Sequence, residues 1–274
     1  MTASTATITR HRADRLDGRP LPGLRPLLRK DLGEWIHGRR AIVVLLIVSV
    51  FMALAAANSW LNAWIIANVP EAAEAGASKV ISLAPLDNVG AAVASQIFVF
   101  AAIFAAMSLI VRERESGTLA WMASKPVSRS SILVSKWLSA TVALWIVAGL
   151  IPLGVTAVVV TILYGAPPLG AVVAAGFGIG AAIALFVAVA LAASALVASQ
   201  PAVAGITFAA FLLPTIVTAI IPFDIAPYLP TSMPAWLMAL GTGAPVGVVT
   251  PIAWVLGLAA LGVFGARRMA DLEL

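Results

Sequence analysis

The chain has no cysteine. A disulfide framework, a thiolate metal site and a cysteine nucleophile are therefore excluded. Charge is scarce too: 11% of the 274 residues are charged, against about 25% in a soluble domain. With 61% of residues hydrophobic and a mean hydropathy of +1.03, the composition is that of an integral membrane protein. The two histidines, His11 and His37, have no partners for acid–base or metal chemistry. The phosphate-cradling pattern G-x-x-x-x-G-K-[ST] is missing, so ATP is not bound here by that device. No acidic residue interrupts the long apolar runs, and acidic residues at membrane depth are the usual markers of proton or ion pathways. This argues against a proton-coupled transporter and against an intramembrane hydrolase. No small-residue cleavage pattern follows the first apolar run, so a secretory signal peptide is not expected.

What is present is a series of apolar runs long enough to cross a bilayer, which takes about 20 residues each. They cover roughly 41–62, 88–111, 132–163, 169–198, 202–221 and 246–266. The expected fold is all-α and polytopic, with six transmembrane helices. Pro152 and Pro214 should kink spans three and five. Lys136 lies near an end of span three and is expected to snorkel toward water. Span four is crowded with alanine and with Gly170, Gly176, Gly178 and Gly180, a pattern of close helix packing rather than of nucleotide binding. Together with the lack of a charge relay, that crowding suggests two copies assembled with a separate energy source.

Orientation follows from lysine and arginine. If the N-terminus is cytoplasmic, sixteen of the seventeen fall on the cytoplasmic side, with only Lys79 outside. The positive-inside rule then places both termini in the cytoplasm of a cell (inner or plasma) membrane protein. The high pI near 10.2 belongs to this topology signal and not to nucleic-acid binding.

Residues 1–23 read as a flexible basic tail. Residues 24–40 read as an amphipathic helix in the headgroup plane. Leu24, Leu28, Leu32 and Trp35 form its apolar face, and Arg25, Arg29, Lys30, Asp31, Glu34 and His37 its polar one. Residues 41–274 make the six-span domain. Between spans five and six, residues 222–245 are apolar yet rich in proline, and read as a re-entrant lid at the outer mouth.

The densest charge cluster after the basic N-terminal region is the loop 112–128 between spans two and three. Gly117 should stop span two by taking a left-handed backbone, and Thr118 should start a short helix. Leu119, Trp121 and Met122 give that helix an apolar patch, and Pro126 ends it. A connection between spans needs none of this, whereas a docking surface for a soluble partner would use all of it.

The string Arg112-Glu113-Arg114-Glu115-Ser116-Gly117-Thr118-Leu119, with Pro126-Val127-Ser128-Arg129 and Lys136 after it, resembles the first intracellular loop of permeases of the ABC type 2 transporter class. The resemblance implies an interfacial helix before span one, short re-entrant helices between the last two spans, and an ATPase on a separate subunit. ATP and Mg would bind that partner; no cofactor, metal or catalytic residue is expected on this chain. It also implies a pathway between two copies of the bundle, a homodimer in the lipid bilayer. Arg112, Glu113, Arg114, Glu115, Gly117, Thr118, Leu119, Trp121, Met122 and Pro126 become the expected ATPase-docking residues. Asn58, Asn62 and Gln96, polar residues at depth, become the expected pathway residues. The expected function is an exporter subunit working by alternating access, and the alternative is a non-transporting membrane scaffold or assembly factor. A polytopic enzyme ranks last for want of catalytic groups.

Overall fold

The computed structural model describes residues 23–36, 38–69, 82–117, 129–221, 225 and 228–271. The described residues are helical, without a strand, and six helices are long and apolar enough to cross a membrane. Helix α1 (Leu24–Ile36) precedes span one, α2 (Arg39–Asn68). Span two is in pieces: α3 (Pro85–Ala94), α4 (Ile97–Ala106) and the short α5 (Val111–Glu115). Span three runs through α6 (Arg129–Leu144), a π-helical stretch (Trp145–Leu150) and α7 (Ile151–Tyr164). Spans four and five are α8 (Leu169–Ser194) and α9 (Gln200–Ile220). A 3-10 turn (Pro230–Ser232) and α10 (Met233–Gly241) lead to span six, α11 (Val249–Asp271).

Pro214 sits inside α9. Pro152 stands in the first turn of α7, directly after the π-helical stretch. Proline lacks an N–H and its ring clashes with the carbonyl four residues back. The wider π turn relieves that clash, and the Ile151 N–H reaches Ile146 O, five residues back. Span two departs from the uninterrupted helix expected over 88–111. Its chain breaks at Ser95-Gln96, where Gln96 takes a left-handed backbone at φ 50° and Ser95 Oγ donates to Ala92 O at 2.6 Å. Hydroxyl competition for a helix carbonyl and a polar pair inside an apolar run are the local causes.

Span four is the centre of the bundle and the most buried of the six, while span six is the least. Its small residues admit neighbours of the same chain. Trp145 lies against Gly180, where a Cβ would come within 2.8 Å of the indole, and Trp145 Nε1 donates to Gly176 O at 2.8 Å. A Cβ on Gly178 would meet the backbone of Pro234 at 2.7 Å, and one on Gly170 would meet Gly241 O at 3.0 Å. Trp137 and Trp254 add indole hydrogen bonds to Ala184 O (2.9 Å) and Ala181 O (3.0 Å). Close packing is therefore what these glycines do. These glycines are taken up by contacts within the chain. Large apolar side chains are exposed on α2 (Ile42, Leu46, Phe51, Leu54), on α9 (Leu212, Leu213, Ile216) and toward the start of α8 (Leu169, Val173, Phe177), as a bilayer or a second copy requires.

The alternating run of the spans brings the starts of one, three and five to the same end as the finishes of two, four and six. Contacts confirm it: Arg40 Nη1 donates to Ser108 Oγ at 3.0 Å and Arg114 Nη2 to Ser194 O at 3.0 Å. At the opposite end Tyr164 reaches span one. Its hydroxyl accepts from the Trp60 N–H (2.8 Å) and donates to Ala56 O (2.9 Å), the two groups of one helical rung.

Candidate docking joint and outer cavity

At the basic end, three elements meet on one ammonium. Lys136 of α6 is 4% exposed and its Nζ donates to Asp31 Oδ1 of α1 at 2.8 Å and to Glu113 Oε1 of α5 at 2.7 Å. Asp31 is itself buried, and Ser135 Oγ donates to its other oxygen. Lys30 closes the cluster from the surface, 3.2 Å from Glu113, 3.2 Å from Glu34 and 3.6 Å from Asp31. Burial alone would lower the Lys30 ammonium, but Glu113 and Glu34 outweigh it and hold the group above its ordinary value.

These contacts correct two expectations. Asp31 does not lie on a solvated face of α1; it turns inward onto span three. Lys136 does not snorkel, because two carboxylates meet it inside. Charges leave water for such a site only when paired and hydrogen-bonded. Sequence periodicity does not show this, since it gives the polar face of α1 without naming the helix that covers it. The signal was available in part: a lysine in an apolar run calls for a carboxylate of its own.

The loop residues divide accordingly. Glu113 points into the cluster, with its Oε2 buried and without a hydrogen-bond partner. Arg114 points to the end of span four. Arg112 and Glu115 stay exposed. Gly117 is exposed and takes φ +70°, the left-handed backbone expected of it, and a Cβ there would meet no atom within 4 Å. Thr118, Leu119, Trp121, Met122 and Pro126 lie outside the described residues.

The other end holds a cavity of about 340 Å³. Gln96 lines it at the break in span two, with Thr215 and Thr218 beyond the Pro214 site and with Thr231, Ser232 and Met238 of the connection between spans five and six. Thr215 and Thr218 donate to the carbonyls of Phe211 (3.3 Å) and Thr215 (2.8 Å), which leaves acceptor capacity on both oxygens. The walls carry hydrogen-bonding groups without charge. Spans two and five are tied beside it by ring contacts of Phe100 with Phe208 (5.5 Å) and Phe211 (5.3 Å). Of the expected pathway residues only Gln96 lines this cavity. Asn58 is exposed and Asn62 half-buried on α2, close to the Ala56 and Trp60 backbone groups that Tyr164 engages. A left-handed glutamine was not foreseeable from pattern, though the Ser95-Gln96 pair marked the position.

Among the described residues no group of three or more His, Asp or Glu side chains could hold a metal ion. A family model described as ABC-2 family transporter protein matches residues 25–238. No curated protein matches the chain.

Proposed function

The chain belongs to the ABC-2 family of transporter proteins, whose model spans well over half of it, and on that premise we propose that this membrane permease exports its substrate on energy from a separate ATPase subunit. The observation that carries the proposal is the ion-paired joint. Lys136, Asp31 and Glu113 tie α1, α5 and α6 into one unit at the basic end. ATP can shift the bundle only as far as it favours one state over the other. A docking surface that transmits this difference must be stiff, and buried charge pairs on three elements supply stiffness.

In this reading the partner docks on the outward charges Arg112 and Glu115, the turn at Gly117, the segment from Thr118 through Leu119, Trp121 and Met122 to Pro126, and the polar side of α1, which lies in the headgroup plane. The basic end faces the cytoplasm, by the charge asymmetry of the sequence. ATP and Mg bind the partner. Two copies face each other across α2 and α9, where large apolar side chains are exposed. α10 and its flanks form the re-entrant lid over the Gln96 cavity, and Gln96, Asn58 and Asn62 line the path. The uncharged lining of that cavity suits an uncharged substrate or one with an apolar body.

Co-purification tests the proposal. The permease should come out of the membrane as two copies with two ATPase subunits, and the reconstituted complex should couple ATP turnover to substrate movement. A permease without an ATPase, bound constitutively to another membrane complex, would favour a scaffold and refute it.

A further inference from the structure

A second cavity, of about 430 Å³, opens between spans three, four and six toward the basic end. That size is within the roughly 300–1,000 Å³ of small-ligand sites. Leu133, Trp137, Ala188, Leu258 and Gly262 give it apolar walls, and exposed Ser130 stands at its edge. The indole N–H of Trp137 is already engaged by Ala184 O, so the ring offers the cavity its apolar face. Nothing fills the space at Gly262: a Cβ there would meet no atom within 4 Å. On α11 the lining residues Leu258, Leu261 and Gly265 follow a helical stripe that continues to Arg268. Arg267 and Arg268 are exposed at this end, and Arg268 stacks on the Phe264 ring at 5.8 Å.

We infer that this cleft binds an anionic phospholipid, its acyl chain along the apolar walls and its headgroup phosphate at Arg268, one turn beyond Gly265. Charge selects this occupant. Basic pockets between membrane helices on the cytoplasmic side suit anionic headgroups. The leaflet rests on the orientation proposed above, but the binding itself does not. A lipid so placed wedges span six against spans three and four near the Lys136 joint, and its presence would hold the spacing of these helices.

The test is native mass spectrometry of the purified full chain titrated with phosphatidylglycerol, and separately with phosphatidylcholine of the same acyl chains. Wild type should retain phosphatidylglycerol preferentially. Arg268→Gln should weaken phosphatidylglycerol by about five-fold and leave phosphatidylcholine unchanged. Gly262→Leu puts a bulky apolar side chain into the cleft from a position where a Cβ meets no atom within 4 Å, and should displace both lipids while Arg268 stays in place. Equal retention of the two lipids by wild type would overturn the inference. So would undiminished phosphatidylglycerol binding by Gly262→Leu. The arginine variant alters only an exposed side chain, so loss of folding would not imitate its effect. The assay contains no ATPase, so its result is separate from that of the transport proposal.

Discussion

Replacing Lys136 by methionine removes the buried cation that Asp31 and Glu113 share. Asp31 Oδ1 at 2.8 Å and Glu113 Oε1 at 2.7 Å would lose it together. Lys30 remains within 3.2 Å of Glu113 and 3.6 Å of Asp31, but its side chain is 41% exposed and its field is correspondingly screened. Removing one partner of a buried pair costs about 3–5 kcal/mol, because a charge is left without compensation. At roughly 2–4 °C per kcal/mol for a chain of this size, the apparent Tm in detergent should fall by roughly 6–20 °C. Asp31→Asn should cost much less. The cluster holds Asp31, Glu34 and Glu113 against Lys30 and Lys136, so losing one negative charge balances it. The double variant should therefore be more stable than the two single losses predict by addition. Thermal unfolding followed by tryptophan fluorescence, on all three variants at one scan rate, measures this. A Lys136→Met protein that melts with wild type, or strict additivity in the double variant, would refute the reasoning.

Other outcomes follow from the same geometry. Gly117→Val should weaken ATPase association without lowering Tm much, since the strain of a β-branched residue at φ +70° is local and no atom crowds the site; pull-down against wild type measures it. Gln96→Gly should hold or raise Tm, because a left-handed non-glycine backbone costs about 1–2 kcal/mol, yet it should lower transport if the amide serves the path. Gly178→Ala should destabilise by about 1–3 kcal/mol through overpacking against Pro234, whereas Gly154→Ala, with open space at its Cβ, should not. For topology, cysteines introduced at Asn68 and Ala166 should react with an impermeant thiol reagent in intact cells, and one at Ser116 only after permeabilisation; all three positions are exposed.

The six spans were legible because a bilayer imposes length and apolarity on each one separately. The glycine function of span four was legible for the same reason: small residues in an apolar run have few uses other than close approach. What stayed hidden depended on partners distant in sequence. Asp31 and Lys136 are 105 residues apart, and nothing in either neighbourhood names the other. Helix periodicity placed Asp31 opposite the leucines of α1 and read that face as wet, when span three covers part of it. Glu113 was read as an outward docking charge on its local alternation with Arg112 and Arg114. Its inward turn depends on Lys136, a residue of the next span. The break at Gln96 is a backbone choice among competing hydrogen bonds, which composition does not encode. Gly117 was the exception among the site residues, because a left-handed stop at the end of a helix is written in a single residue.

The most direct test of the docking account is photo-crosslinking from the joint in the assembled complex. A photoreactive benzophenone side chain placed at Glu115 should form a covalent adduct with the ATPase subunit, and the same group at Leu213, exposed on span five, should form none. Absence of the adduct at Glu115 from a complex that still hydrolyses ATP and transports would contradict the account.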